Sequence, residues 1–461
     1  MLRKYIMPAM FLLCVSCTLG PDYESPSIYS DAVLQNELEL KKNGKLPHNW
    51  YKNLKDNCLQ DLIETGLKNN ADIATAKARL VQARLTKKIN NAEFLPQIGF
   101  SGGYEYEKGS KNIGYSQNTN YYTAGFDASW ELDIWGKGRR QREADEANIK
   151  AQTYNLNNIK TLVAAEIAVN YINLQQNKAY LRMAKQNADL QRQIADIVKK
   201  EYQSGLSDET AYNQAEYLLQ TTLAQIPQYE SNIEVYKNSL STLLGVLPSE
   251  ISIPEKTKLL SGDTNMISNM HELPISVIRL RPDVAASEQE LKAQNALIGK
   301  AVAELYPDIS VSGVLGYMAS SGRKLLSSAS ETYGYTPSAD LLLLDWNKLY
   351  NNIEIQKQEK EIALANYKQS VLNALSELKN SFSGYKSAIS SYRNKLQALT
   401  SMQKVNGLML KRYRNGLIKF SEVLDTQQNL ITAQKDVIIA GGQIATSAVA
   451  YYKASGAVID N

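Results

Sequence analysis

Residues 121–137, YYTAGFDASWELDIWGK, alternate between two kinds of side chain. The even positions from Tyr122 to Ile134 are apolar or small, whereas the odd positions between them are small or polar and include Asp127, Glu131 and Asp133. Because successive side chains of a strand point to opposite faces, the pattern predicts a β-strand with one apolar face and one polar, acidic face. Soluble sheets and membrane β-barrels share this alternation, so the rest of the chain must distinguish between them.

The composition argues against several classes of function. The 461 residues carry a net charge of +4, which is spread along the chain without the basic, aromatic-rich runs of a nucleic-acid-binding protein. His48 and His271 are the only histidines, which argues against a histidine-based catalytic or metal site. There is also no glycine-rich phosphate loop and no G-x-S-x-G motif. The sequence therefore predicts a protein that is not an enzyme and that has no metal ion or other cofactor apart from a covalent lipid.

The N-terminus carries the features of an export signal. Arg3 and Lys4 precede a short apolar stretch at residues 6–15, which is too short to span a bilayer. Residues 13–17, LCVSC, resemble a bacterial lipobox and predict cleavage after residue 16 and lipidation of Cys17, for example with palmitate; an ordinary signal peptide is the alternative. Cys58 would then be the one remaining thiol, and we expect it to be buried and inert. No later stretch is apolar for eighteen residues, so entry into a membrane would require strands.

Long helices follow the quoted strand. Residues 139–204 contain neither glycine nor proline, and Ile167, Leu174, Leu181 and Ala188 lie seven residues apart. This spacing predicts a coiled-coil-like helix roughly 100 Å long. A second helix is expected to run back, interrupted at Pro227. Before the strands, helical periodicity begins near residue 59 and continues to Pro96.

The second half of the chain repeats the first at an offset of 211 residues. The offset pairs Asp72 with Asp283, Pro96 with Pro307, Trp135 with Trp346, and Gly205-Leu206 with Gly416-Leu417, without any gap. One register maintained through strands, loop and long helix predicts an internal duplication. The expected segments are as follows: signal peptide 1–16; extended N-terminal segment 17–56; first repeat 57–243, with hairpin 97–134, long helix 137–204 and return helix 208–243; linker 244–282; second repeat 283–453, with hairpin 308–345, long helix 348–415 and return helix 419–453; and tail 454–461.

Strand length favours a membrane location. Each of the four predicted strands has about eleven to fourteen residues, a length that crosses a bilayer when the strand is tilted. Trp135 and Trp346, at equivalent strand ends, are expected to lie at a membrane interface. Four strands cannot close a barrel; two chains would provide eight strands and a filled interior, and three chains would provide twelve and an open lumen. The small and acidic residues of the polar face favour the trimer. The expected fold class is an α+β membrane protein with tandem repeats.

Several short motifs occur together in one order along the chain. They are Cys17 with TLGPDY after it, Leu132-Asp133 with Trp135-Gly136, LRPDV at 280–284, YRNGL at 413–417 and VLD at 423–425. In this order they resemble the TolC-like outer-membrane efflux family, in particular its lipidated multidrug-efflux branch. The resemblance implies a homotrimer whose twelve-stranded β-barrel lies in the outer membrane and continues into a periplasmic α-helical barrel. It also implies a passive exit duct that docks onto a periplasmic adaptor and an energised inner-membrane pump, expected to be of the RND type.

The resemblance also implies roles for individual residues. The two helical turns would form the periplasmic tip, which makes adaptor-contact candidates of Gly205, Leu206, Ser207, Gly416, Leu417 and Ile418; alternatively, these residues only cap helices. Arg412 and Tyr413 would hold Asp425 in a gate, although a solvated ion pair without function is the alternative. The acidic residues Asp127, Glu131, Asp133 and Asp340 would line the lumen, where they either favour cations or only keep it hydrated.

Two further functions fit part of the sequence. A type I secretion exit duct for peptides or proteins would share the same architecture. A structural lipoprotein that spans the periplasm as a coiled coil would explain the long helices, but not the paired amphipathic hairpins. The efflux duct explains both features.

Overall fold

The computed structural model describes residues 18–26, 49–110, 112, 118–260, 275–457 and 459, without the side chains of residues 275–277 and 346. Cys17 and the signal segment lie outside the described residues, as does the Trp346 side chain, so these assignments stay predictions. Within the described residues the helices and strands are α1 (Asn57–Asn69), α2 (Ala71–Glu93), β1 (Gln97–Lys108), β2 (Asn118–Leu132), α3 (Lys137–Gln203), α4 (Glu209–Leu244), α5 (Pro282–Ala303), β3 (Asp308–Ala319), β4 (Glu331–Asp340), α6 (Trp346–Arg414) and α7 (Phe420–Ala454).

The four strands form one antiparallel sheet in the order β1-β2-β3-β4. Its register aligns Phe100, Phe126, Leu315 and Tyr333 across all four strands. Since side chains alternate along each strand, the even residues of β1 and β2 share a face with the odd residues of β3 and β4. That face is mostly apolar and the opposite face is mostly polar; the exceptions include Lys108 and Glu331 on the apolar face and Val314 and Met318 on the polar face. The alternation of residues 122–134 therefore extends over most of the sheet.

The apolar face of the sheet is exposed within the chain. Its aromatic side chains contact one another across strands, with ring centroids 5.2 Å apart for Phe100 and Phe126 and 4.8 Å apart for Tyr104 and Tyr122. Tyr333 and Tyr335 on β4 are nevertheless 84% and 83% exposed. A contiguous apolar surface of this kind is rare on soluble monomers and indicates an interaction with membrane or protein.

Strand β4 is shorter than the sequence pattern indicates. The second β-hairpin was expected to extend to residue 345, but β4 ends at Asp340. Asp340 pairs with Asp308, which is the first residue of β3. Residues after Asp340 therefore have no partner on β3, and the chain leaves the sheet before α6 begins.

The helical stretch that begins near residue 59 is two helices rather than one. Asn70 has extended backbone angles and separates α1 from α2. Its side-chain oxygen accepts hydrogen bonds from the N–H groups of Asp72 and Ile73 at 2.9 and 3.2 Å, and its Nδ2 donates to the Leu243 carbonyl at 2.9 Å. Asn70 thus satisfies the free N–H groups at the start of α2, which stabilises the break.

The expected interruption at Pro227 is wrong, because α4 runs unbroken from Glu209 to Leu244 with the proline inside it. A proline within a helix removes one hydrogen bond and costs about 3 kcal/mol. Buried side chains lie on both sides of Pro227, including Leu218 and Leu219 before it and Leu240 and Leu244 after it. Packing of both halves offsets the local cost.

The long helices α3 and α6 contain 67 and 69 residues. They end at Gln203 and Arg414, and the return helices begin at Glu209 and Phe420, so both pairs of bounds differ by 211 residues. Strands β1 and β3 begin and end at the same offset. None of the helices described has the length and hydropathy that crossing a membrane requires.

The chain divides into two compact units. The first comprises Met1–Ser27, Arg79–Thr153 and Ala286–Gln369 and contains the sheet. The second comprises Ile28–Ala78, Tyr154–Ala285 and Ser370–Asn461. Within the second unit, Trp50 is fully buried and stacks on Tyr452 at 5.6 Å.

Arg281 fixes the end of the chain within the second unit. Its guanidinium donates to Asp283 at 3.0 and 2.7 Å, to Glu377 at 2.9 Å and to the Ala454 carbonyl at 2.9 Å. Ala457 and Ile459, in the segment expected to be a tail, are buried. The described part of the C-terminal segment is therefore packed into the fold.

Candidate functional site

The turns between the long and return helices have the same backbone geometry. Gly205 and Gly416 adopt φ angles of +76° and +70°. The N–H of Leu206 donates to the Glu201 carbonyl at 2.8 Å, and the N–H of Leu417 donates to the Arg412 carbonyl at 3.0 Å. These are Schellman caps, in which the left-handed residue is usually glycine. We call residues 204–208 the first tip and residues 415–419 the second tip.

The two tips expose one leucine each. Leu206 is 82% exposed and Leu417 is 66% exposed. Ile418 has a different environment, because it packs against a buried cluster that comprises Ala195, Val198, Ala211, Ala215, Phe420 and Val423. We call this set the tip cluster. Among the adaptor-contact candidates, Leu206 and Leu417 are therefore accessible, whereas Ile418 helps to join the helices.

Tyr413 connects α6 to α3. Its hydroxyl donates to the Glu201 carboxylate at 2.7 Å, and its ring contacts Phe420 at 5.5 Å. Burial and the hydrogen bond to Glu201 raise the pKa of Tyr413 to about 12, although a hydrogen bond from Ser207 opposes the shift. The phenol is therefore a neutral donor at neutral pH, and we call this contact the tip latch.

Within one chain, the structure does not bring the three predicted gate residues together. Tyr413 was expected to hold Asp425, but its acidic partner is Glu201. Tyr413 is directed at the last turn of α3, whereas Asp425 is exposed on α7 and Arg412 is exposed on α6. No ion pair joins Arg412 to Asp425 in the described chain. Sequence reasoning missed Glu201, although the 211-residue offset pairs it with Arg412.

Three of the acidic candidates share the polar face of the sheet. Asp127 accepts a hydrogen bond from Ser101 at 3.0 Å, and Glu131 pairs with Lys137 at 3.1 Å. Asp340 is exposed and pairs in register with Asp308, whose carboxylate lies 3.6 Å from the Lys137 ammonium group.

Asp133 has a structural role that the strand pattern did not indicate. It lies one residue beyond β2 and accepts hydrogen bonds from the N–H groups of Gly138 and Arg139, each at 3.0 Å. The Arg139 side chain also pairs with it at 3.3 Å. Its carboxylate caps the start of α3, and Asp133 is less exposed than Asp127 or Asp340.

Trp135 lies where the described N-terminal segment crosses the end of the sheet. Its indole N–H donates to the Pro307 carbonyl at 2.8 Å, and its ring contacts Tyr306 at 5.0 Å. Its own carbonyl accepts a hydrogen bond from the N–H of Leu19 at 3.3 Å.

Arg140 holds the N-terminal segment in place. It is 3% exposed and donates to the carbonyls of Leu19 and Gly20 at 2.9 and 3.0 Å and to Asp22 at 3.0 Å. Asn295 donates to the Pro21 carbonyl at 2.9 Å. These contacts anchor residues 19–22 to α3 and α5. No local sequence pattern predicts the pairing of Arg140 with Gly20, which lies 120 positions earlier.

The remaining predictions concern metal binding and the thiol. The described residues contain no group of three histidine, cysteine or acidic side chains that could hold a metal ion. Cys58 is half-buried, its thiol lies 3.9 Å from the Ser252 carbonyl, and burial raises the pKa of the thiol. A raised thiol pKa disfavours the reactive thiolate.

Known sequences and structures resemble the chain over nearly its whole length. It is 24% identical to the cation efflux system protein CusC of Escherichia coli K12, over 96% of this chain and 97% of that protein. It is 25% identical to nodulation protein T of Rhizobium leguminosarum bv. trifolii, over 94% and 92% of the two chains. The structure of the outer-membrane channel OprN superimposes with a TM-score of 0.85 at 27% identity, over 95% of this chain and 99% of that one.

A family model matches each half of the chain separately. The model described as "Outer membrane efflux protein" matches residues 62–246 and 273–457, and both bounds of the second match lie 211 residues after those of the first. The two matches coincide with the two halves that the internal offset defines. The chain belongs to the outer membrane efflux protein family.

Proposed function

We propose that this outer-membrane efflux protein is the passive exit duct of a tripartite system. It would dock onto a periplasmic adaptor and an energised inner-membrane pump of the RND type and release small toxic compounds outside the cell. The observation that carries the proposal is the sheet, whose exposed apolar face suits lipid and whose polar face suits water. The family membership supports the same conclusion.

We infer that three chains close one twelve-stranded β-barrel. The sheet order leaves the outer edges of β1 and β4 without a partner strand among the described residues. A strand at the edge of a sheet exposes free N–H and C=O groups, so proteins commonly cover such an edge or pair it with a strand of another chain. Because β1 and β4 run in opposite directions, β4 of one copy can pair with β1 of the next and continue the antiparallel pattern. Twelve strands leave a lumen for solutes, whereas eight would be filled by side chains.

The polar face of the sheet would line that lumen. Asp127 and Asp340 place carboxylates on this face, and Glu131 and Asp308 share it with the Lys137 ammonium group. Such a surface keeps the lumen hydrated and favours cations over anions. CusC is named for cation efflux and ArpC of Pseudomonas putida for antibiotic efflux. Both kinds of solute are compatible with a wide, hydrated duct.

The tips would carry the docking and gating functions. Leu206 and Leu417 offer exposed apolar contacts to the adaptor at equivalent positions. We call α3 and α4 the first helical hairpin and α6 and α7 the second. The tip latch adds one hydrogen bond between these two hairpins near the surface. That hydrogen bond could be exchanged for adaptor contacts, and docking would then leave the buried tip cluster to hold the second tip against the first helical hairpin. Arg412 and Asp425 are exposed and would be available to neighbouring chains.

Single-channel recording tests the proposal. The purified protein is reconstituted into a planar bilayer after its subunit number has been determined in detergent. We expect a trimer that opens rarely, with cations carrying more current than anions. A monomer without conductance would contradict the duct function.

A further inference from the structure

The turn that joins β3 to β4 has an ordered structure unlike a simple polar loop. It contains two short 3-10 turns, Gly322–Lys324 and Ser328–Ser330. The Lys324 carbonyl accepts three hydrogen bonds, from the Ser327 N–H at 3.1 Å, the Ser327 hydroxyl at 2.8 Å and the Ser330 hydroxyl at 2.7 Å. These bonds give the turn a defined conformation.

The turn lies beside the apolar face of the sheet. The Tyr122 ring belongs to that face and lies 3.7 Å from the position that a Cβ atom would take on Gly322. Ala319, the last residue of β3 on the same face, is buried. Further tyrosines lie at or next to this level of the face: Tyr104 pairs with Tyr122, and Tyr106 and Tyr317 lie two residues along the strands on either side of that pair. Such a band is typical of the interface between acyl chains and headgroups.

The turn presents two cations and one apolar side chain at this level. Arg323 and Lys324 are exposed and make no ion pair among the described residues, and residues 320–330 include no acidic side chain. Leu326 is 80% exposed. The nearest carboxylate along the chain is Glu331, the first residue of β4. Lys108, at the end of β1, adds a further cation on the apolar face.

We propose that this turn binds the phosphate groups of lipid headgroups, with Arg323 and Lys324 as the ligands and Leu326 placed among the acyl chains. Arginine and lysine are the side chains that bind phosphate best. An acidic peptide would satisfy the cations, but it would not account for Leu326 and the tyrosine band beside them. The inference rests on the proposed placement of the sheet in the outer membrane.

The connectivity identifies the leaflet. Helices α3 and α6 follow β2 and β4, so the turns within the hairpins lie at the opposite ends of the strands. With the helices in the periplasm, the β3–β4 turn faces the cell exterior. Its ligand is then a phosphate-bearing glycolipid of the outer leaflet.

Lipid titration by native mass spectrometry tests the inference. The probe is diphosphoryl lipid A in detergent micelles, compared with the same lipid after its phosphates have been removed. The chain is studied as the wild type, as Arg323→Gln/Lys324→Gln, and as the control Lys68→Gln/Lys256→Gln, which removes two exposed lysines of the second unit. Because one basic residue near an anionic surface contributes about fivefold in affinity, we expect about 25-fold weaker binding in the first variant and none of this loss in the control.

Two further variants separate charge from folding. Arg323→Lys/Lys324→Arg keeps both charges and should bind like the wild type. Leu326→Ser should weaken binding of both forms of the lipid. Equal affinity of the wild type and Arg323→Gln/Lys324→Gln for diphosphoryl lipid A would overturn the proposal, as would equal affinity of the wild type for both lipids. Conductance is recorded separately, so loss of the duct function would be distinguished from loss of lipid binding.

Discussion

The two tips derive from one repeated sequence, yet they are stabilised in different ways. In the first tip, the Asp208 side chain accepts a hydrogen bond from the Ala211 N–H at 2.7 Å and caps α4. Lys419 occupies the equivalent position in the second tip and makes no capping bond. The next residue, Phe420, is buried in the tip cluster. Its equivalent in the first repeat, Glu209, is exposed.

The equivalent tyrosines differ in the same sense. Tyr202 stacks on Tyr212 of its own return helix, with ring centroids 6.1 Å apart. Tyr413 reaches the first hairpin and bonds to Glu201. The first tip is therefore stabilised locally, whereas the second depends on contacts with the first. This difference makes the second hairpin the one that can move when contacts between the hairpins are lost.

The largest expected effect follows from truncating Phe420, which lies at the start of α7 and belongs to the tip cluster. Phe420→Ala should destabilise the second tip by about 3–5 kcal/mol, because it removes a buried aromatic ring and leaves a cavity. Hydrogen exchange measured by mass spectrometry on peptides covering residues 406–426 should show faster local opening. The matched variant Glu209→Ala removes an exposed side chain and should change exchange at residues 195–215 by less than about 0.5 kcal/mol. If the two variants changed exchange at their own tips by the same amount, the two tips would not be stabilised in different ways.

The second prediction concerns the tip latch. Tyr413→Phe removes the hydroxyl from Glu201 and should weaken the second tip by about 1–2 kcal/mol, since Tyr413 is partly exposed. Tyr202→Phe is the control and should have little effect. Exchange rates of the second tip would report the loss. An unchanged rate in Tyr413→Phe would show that packing alone holds the second hairpin.

Exchanging the capping residues should give an effect of about 1 kcal/mol in opposite directions. Asp208→Ala loses a cap and should destabilise the first tip, whereas Lys419→Asp adds one and should stabilise the second. Lys419→Ala should be nearly neutral. If Lys419→Asp fails to slow exchange in the second tip, a missing cap is not what distinguishes the tips.

The smallest effect comes from the ionisation of Tyr413, which occurs only at high pH. Its pKa is raised to about 12, so the neutral phenol is favoured in the folded protein. The stabilisation is fully present below the ordinary tyrosine pKa of about 10 and is lost as the pH rises through the folded value. The difference between the wild type and Tyr413→Phe should therefore decline between pH 10 and about 12. A difference that stays constant over this range would exclude the phenol proton as its source.

Much of the fold follows from local sequence patterns. The alternation of residues 122–134 predicts both faces of the sheet because strand geometry has a fixed period of two. The 211-residue offset pairs the glycines of the two tips, and both adopt positive φ. The strand alternation and the glycine caps each depend only on residues that are close together along the chain.

The features that the sequence did not predict depend on distant residues. Glu201 and Tyr413 are 212 positions apart, and no spacing rule joins them. The break at Asn70 is stabilised partly by the Leu243 carbonyl, and the continuity of α4 through Pro227 by packing on both sides. Arg140 likewise binds a segment about 120 residues earlier in the chain. Tertiary contacts overrode the local pattern in each case.

The central claim is that the chain is a duct closed at the second tip. Single-channel recording of the wild type beside Tyr413→Phe tests this claim most directly. Both proteins are reconstituted as purified oligomers at neutral pH, with Tyr202→Phe as the control. We predict rare openings for the wild type and for Tyr202→Phe, and a severalfold higher open probability for Tyr413→Phe. The same open probability in all three proteins would contradict a gate at the second tip, and the absence of conductance from all three would contradict the duct itself.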